Sequence, residues 1–324
     1  MPLLIRSIVE LLTNKLFLKM KTTTKFVYAL TGLLMSGLVL SCSDNEDVQI
    51  VDSSSQSMVG PVDEQPSDHE SSCSYVDGNW SSSANLYTSL PNSGSTSGAD
   101  LLVSQNTAIK TFWRGSSVAA PLFRFVRDLS NPSSTFNAIS YSNGKIYFGE
   151  EIYKWAKNRD GSNLINVMIL AHEYGHQLQY AYGLPSRQEN TVRAGELEAD
   201  GMAGYYLRRG YGKSSFAAIA TAYEAAYAIG DYDTNSGGHH GTPAQRKSAV
   251  RLGFLFADPQ NPKLTAPSFD SNFFYYYNGV LNGSYRMARP STVTPEFHAF
   301  MLSHMEELGR IANGQMSDEE YKNL

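Results

Sequence analysis

The apolar run Leu164-Ile165-Asn166-Val167-Met168-Ile169-Leu170-Ala171 leads without a break into His172-Glu173-Tyr174-Gly175-His176. This pattern predicts a buried helix over about 163–182, stopped by Gly183 and Pro185. A buried helix does not carry two imidazoles and a carboxylate inward unless a metal or hydrogen bonds satisfy them. His172 and His176 are four apart and share one face, where both ring nitrogens reach a single ion at about 2.0–2.1 Å. Glu173, offset by about 100°, sits beside them, placed to take a proton from the water that such an ion activates. The competing expectation is a pair of core histidines satisfied by hydrogen bonds alone.

Zinc requires a third protein ligand and, for hydrolysis, a fourth position left open to water. Glu196 is the candidate, about twenty residues after His176, which leaves room for a loop and a returning helix over 191–209. Asp200 follows one turn later on the same face, placed to accept the free ring N–H of a liganding histidine, His172 being the expected one. Glu198 points elsewhere. The ligand set is therefore His172, His176 and Glu196 around one Zn2+, with Glu173 as general base and Asp200 behind a ligand.

These residues lie in blocks that resemble a known family. HEYGHQLQ (172–179) is similar to the HExGHxxQ core of the bacterial neutral zinc metallopeptidases, and ELEADGMAG (196–204) to their ELxAD segment. Gly230-Asp231 and His240-Gly241-Thr242-Pro243-Ala244-Gln245-Arg246 are similar to the family's GD and HGTxxQR. The resemblance implies a zincin fold with a glutamate ligand. Members often carry a cysteine directly after the ELxAD aspartate, whereas this chain has Gly201, so a disulfide there is absent. Asn137-Ala138 and Gly144–Phe148 resemble the segment leading to the edge strand in a second HExxH group, the membrane-associated zincins.

The N-terminal third reads differently. Residues 1–41 form an export signal, with Lys19, Lys21 and Lys25 before an apolar run from Phe26 to Leu40; Met20 is a second candidate start. The run falls short of the roughly 20 apolar residues of a membrane span, and an uncleaved anchor helix is the alternative. Val39-Leu40-Ser41-Cys42 resembles the lipobox of bacterial lipoproteins. That resemblance implies acylation of Cys42, a lipid anchor in the membrane, and a place in the cell envelope, at the outer membrane or cell surface. The acidic cluster Ser43–Asp47 resembles a surface-export tag or opens a solvated tether. Residues 42–100 are Ser-rich and apolar-poor, which predicts a disordered, flexible stalk, with Tyr75, Trp80, Leu86 and Tyr87 as docking points. With Cys42 acylated, Cys73 has no disulfide partner.

The remainder predicts an α+β fold, mainly helical with a small sheet. A zincin-like catalytic domain is expected at 101–260 and an aromatic-rich C-terminal extension packing on it at 261–324. Strands are expected at 108–113 and 145–148, and helices at 118–129, 150–158, 214–228, 242–256 and 295–310. A peptidase of this type needs a sheet edge for its extended substrate, for which 145–149 is the candidate. His240, on a glycine-flanked loop, is either a donor to the developing oxyanion or a loop-fixing hydrogen-bond partner. Arg246 and Gln245 read as a structural pairing. The cluster 273–277 reads as core or interface, with Tyr275, Tyr276 and Tyr277 as further oxyanion candidates, and His298 and His304 read as structural.

The expected function is hydrolysis of a peptide or protein substrate by a zinc metallopeptidase. The alternative is a catalytically silent zinc-containing surface lipoprotein that binds or adheres. With 31 acidic against 26 basic residues, the chain lacks the basic balance that nucleic acid requires.

Overall fold

Alternation of Phe123 and Phe125 with Arg124 turns 122–127 into a strand whose phenylalanines face the helical core. It belongs to a five-stranded sheet of β1 (Ser72–Ser74), β2 (Asn85–Tyr87), β3 (Leu122–Arg127), β4 (Ala138–Tyr141) and β5 (Lys145–Gly149). The order is β1-β4-β5-β3-β2, antiparallel except for the parallel β3–β5 pair. The computed structural model describes residues 66, 72–76, 78–90, 96–228, 230–233, 235–283 and 288–324. The export signal, Cys42 and the acidic cluster lie outside the described residues.

Around the sheet run α1 (Thr96–Arg114), α2 (Glu150–Arg159), α3 (Leu164–Tyr182), α4 (Arg193–Arg209), α5 (Ala220–Ala228), α6 (Pro243–Phe256), α7 (Ala266–Asn282), α8 (Pro295–Ser303), α9 (Met305–Ala312) and α10 (Asp318–Lys322). The chain is thus mixed α+β, mostly helical with a small sheet. Among the described residues no helix is long and apolar enough to cross a membrane. Start and stop signals act locally: Gly183 caps α3 in the left-handed region, and Thr242 with Gln245 forms a capping box ahead of Pro243 in α6.

Five expectations are corrected. The helix expected at 118–129 contains Pro121, which disfavours a helix interior, and β3 forms there instead. The strand expected at 108–113 lies inside α1, where Leu102, Asn106, Ile109 and Lys110 are buried at helical spacing. The segment 145–149, expected as the sheet edge, is internal: β5 pairs with β4 on one side and β3 on the other. The stalk expected over 42–100 gives way to folded chain within that range, because β1 and β2 are sheet strands and Trp80, Ala84 and Leu86 cover the sheet face opposite the helices. The 295–310 helix is also divided, between α8 and α9 at His304.

Two close approaches set the positions of α3 and α4. A Cβ on Gly175 would lie 2.9 Å from Ala199 Cα, so the helices meet beside the HExxH segment only because that position is bare. A Cβ on Gly253 would collide with the Gly201 carbonyl, and Gly201 in turn faces Phe273 of α7. Gly201, where the family resemblance calls for cysteine, is therefore a packing contact between α4, α6 and α7.

Candidate metal centre

Packing of α3 on α4 brings the buried side chains of His172, His176 and Glu196 to one point. The Nε2 atoms of His172 and His176 are 3.1 Å apart, and they lie 3.3 and 3.4 Å from the two Glu196 carboxylate oxygens. Zinc bonded tetrahedrally at about 2.0–2.1 Å needs neighbouring donor atoms about 3.4 Å apart. With each imidazole facing a different Glu196 oxygen, the three side chains converge at distances close to those that a shared zinc needs.

Hydrogen bonds behind the ring nitrogens orient the lone pairs. His172 Nδ1 donates to Asp200 Oδ1 at 2.9 Å, and His176 Nδ1 donates to Gln179 Oε1 at 2.8 Å. Gln179 is oriented by its own donations to Gly195 O at 2.8 Å and Glu198 Oε2 at 3.0 Å. Both Nε2 atoms then face each other and a carboxylate as acceptors, an arrangement that repels unless positive charge sits between them. Asp200 is held in turn by Arg246, which donates from Nε at 2.7 Å and from its second terminal nitrogen at 3.0 Å. Glu198 supports His176 through Gln179 rather than joining the three converging side chains.

Titration follows the same electrostatics. Burial pushes the Glu173 carboxyl well above the usual carboxylate range, and the Glu196 and Cys73 charges reinforce it over the opposing His176. Burial opposes charge on His176, yet Cys73 and Glu196 hold it well above the ordinary imidazole value. Glu196 goes the other way: despite burial, His176 and His172 hold it well below the usual range. Burial also opposes ionisation of Asp200, and Arg246 with His172 outweighs it.

Glu173 is fully buried beside this centre, and neither carboxylate oxygen has a hydrogen-bond partner among the described residues. Glu196 Oε2 is likewise without a hydrogen bond. Buried carboxylate oxygens in this state cost several kcal/mol, which a metal and its water would relieve. The donor set thus fits zinc: two imidazoles, one carboxylate, and an unused carboxylate alongside.

The remaining candidates fall as follows. His240 Nδ1 lies 3.7 Å from Glu196 Oε2, while its backbone N–H donates to Asp231 Oδ2 at 2.8 Å. His239 Nδ1 donates to the other Asp231 oxygen at 2.6 Å, so Asp231 fixes the loop that carries His240. Tyr277 donates to Gln245 O at 3.0 Å, and Tyr276 bonds His298 Nδ1 at 3.0 Å, so these tyrosines are spent in packing. His304 Nδ1 donates to Phe300 O at 2.8 Å.

Sequence reasoning left out Gln179, Tyr75 and Cys73 as site residues. Gln179 was readable as the residue three beyond His176, one turn along the same helix. Tyr75 is fully buried with its ring edge-on to His172, centroids 5.1 Å apart. Cys73, His176 and Glu196 each offer a ligand atom within 4.8 Å of the others, a second triad sharing two members with the first. Cys73 and Tyr75 alternate inward within a Ser-rich stretch, a signal too short to register by composition. No protein family, curated protein or solved structure matches this chain.

Proposed function

We propose that the domain is a zinc metallopeptidase that hydrolyses peptide bonds, with His172, His176 and Glu196 as ligands and Glu173 as general base. The observation that carries this reading is Glu173: a buried carboxylate with two unpartnered oxygens, next to three side chains that converge at distances close to those zinc needs. A zinc ion held there supplies the Lewis acidity that makes water nucleophilic near neutral pH. Glu173, beside that position, would hold the proton given up by the attacking water and return it to the leaving amine. Asp200 and Gln179 keep both imidazoles in the liganding tautomer, and burial strengthens every interaction by excluding bulk solvent. His240, beside Glu196, is the candidate donor to the oxyanion.

The HExGHxxQ, ELxAD and HGTxxQR segments support kinship with the bacterial neutral zinc metallopeptidases and a zincin fold. The lipobox ending at Cys42 supports attachment to the cell envelope as a lipoprotein. One observation favours a second reading, a zinc-stabilised binding lipoprotein without turnover: the approach of Cys73 offers a fourth protein ligand, and four-coordinate closed zinc is a structural arrangement.

Zinc content and hydrolysis of a quenched peptide library separate the two. The metallopeptidase binds one zinc, loses turnover to a chelator and regains it with zinc. Glu173→Gln is expected to keep the metal and to lose about 10²–10⁴-fold in rate. A metal-loaded Glu173→Gln variant as active as the parent removes Glu173 from the mechanism.

A further inference from the structure

We propose that Cys73 is the fourth ligand of this metal centre and that β1 lies where a peptide substrate would lie, so the enzyme as folded is latent. The proposal rests on the metallopeptidase reading above.

Register puts Cys73 there. β1 pairs antiparallel with β4, Cys73 opposite Ser140, and paired residues project from the same sheet face. Ser140 Oγ accepts from Gln177 Nε2 of α3 at 2.7 Å, so that face is the one against the HExxH helix. Cys73 and, two residues on, Tyr75 therefore both point at α3, and Tyr75 completes the closure. Its ring packs edge-on to His172 and lies 5.3 Å beneath the Arg246 guanidinium, fully buried.

The thiol is within reach of an ion held on the His176 and Glu196 side of the centre. Cys73, His176 and Glu196 offer donor atoms within 4.8 Å of one another, and zinc takes a thiolate at about 2.3 Å. A soft thiolate in the fourth position excludes water, and without that water Glu173 has no proton to take.

The strand also explains what covers the sheet edge. Without β1, β4 would present its outer edge beside the centre, the geometry in which a peptidase binds an extended chain by main-chain hydrogen bonds. β1 makes those bonds itself, and just beyond it Tyr75 N–H continues the pairing by donating to Ala138 O at 2.8 Å while Val76 N–H donates to the Asn137 side chain at Oδ1, 2.9 Å. A three-residue edge strand belongs to the least stable part of a fold, so it opens without unfolding α3 and α4. An open state populated at about 1–10% limits the rate by that fraction, so removing the thiolate that anchors β1 to the ion shifts the balance to the open state and raises turnover about 10- to 100-fold.

Cobalt(II) substitution of the full chain tests this. The cobalt protein should show thiolate-to-metal charge-transfer absorption in the near ultraviolet that Cys73→Ser lacks, while visible d–d bands persist in both. Zinc-loaded Cys73→Ser should cleave the quenched peptides about 10- to 100-fold faster than the parent. Visible bands without charge transfer, or equal rates, overturn the proposal and leave the metal centre standing. Absence of cobalt bands from both proteins defeats the metal reading itself. Charge transfer in the parent, with a folded and metal-loaded Cys73→Ser that is equally inert, overturns latency in favour of a structural zinc. A second measurement needs no variant: zinc should protect Cys73 from iodoacetamide, whose iodide the thiolate displaces to form a thioether. The readout is the mass of the peptide carrying residue 73, and equal labelling with and without zinc overturns the proposal.

Discussion

The helices that present the candidate ligand atoms and the edge strand beside them are held in contrasting ways. α3, α4 and α6 meet at bare glycines, and the fully buried Asp200–Arg246 pair ties α4 to α6 behind His172. Gln177 adds a clamp from α3 to the β4–β5 hairpin by donating to Ser140 Oγ and to Tyr141 O at 2.8 Å. β1 has three residues and a single partner strand, and Ser72 is exposed. The difference separates two tasks. Donor atoms must stand within about half an ångström of the metal geometry, so they belong on rigid, interlocked elements. A covering segment has only to fit, and it serves best where its removal leaves the donors in place.

Three experiments test this contrast, in descending order of expected effect. Asp200→Asn strips the buried Arg246 of its neutralising partner and should cost about 3–5 kcal/mol in urea unfolding. A cost below 1 kcal/mol would show that the ligand helices are not locked by that pair, about the worth of an exposed one. The same pair predicts acid sensitivity. The folded pKa of Asp200 lies below its unfolded value, so the pair's contribution is complete above the ordinary carboxylate value of 3.8 and disappears as pH falls through the lower folded value. Gly253→Ala forces a methyl against the Gly201 carbonyl and should cost about 1–3 kcal/mol, with weakened metal binding because Glu196 and Asp200 shift with α4. The smallest effect is local. The Tyr75 amide should exchange its hydrogen faster than the amides of residues 167–178 in α3, and equal protection would make β1 part of the rigid half.

The rigid half was legible in the sequence and the covering half was not. The α3 pattern from Leu164 to Gly183, the return through Glu196 and Asp200, and the Thr242-Pro243 start of α6 are all local signals. Hydrogen bonds and caps within a few residues determine them. β1 owes its existence to β4, more than sixty residues away, and its own residues are two serines around a cysteine. Ser-rich composition measures the apolar surface a segment can bury by itself. It says nothing of a strand that borrows its core from Tyr75 and its hydrogen bonds from a distant neighbour. β3 and α1 were exchanged for a related reason: short apolar windows at 118–129 and 108–113 fit either period, and burial at Leu102 and Ile109 identifies the helix only over the full length of α1.

Trp80 is buried against the outer sheet face and its indole N–H donates to the Tyr141 hydroxyl at 2.9 Å, only a few residues beyond Cys73. That mooring would keep the Cys73 thiol near the candidate centre even with β1 undocked. Its effective concentration at the centre stays on the order of millimolar whether or not β1 is docked. On the latent arrangement proposed above, an incoming peptide would compete with a tethered intramolecular rival, and weak or dilute ligands would be turned away first.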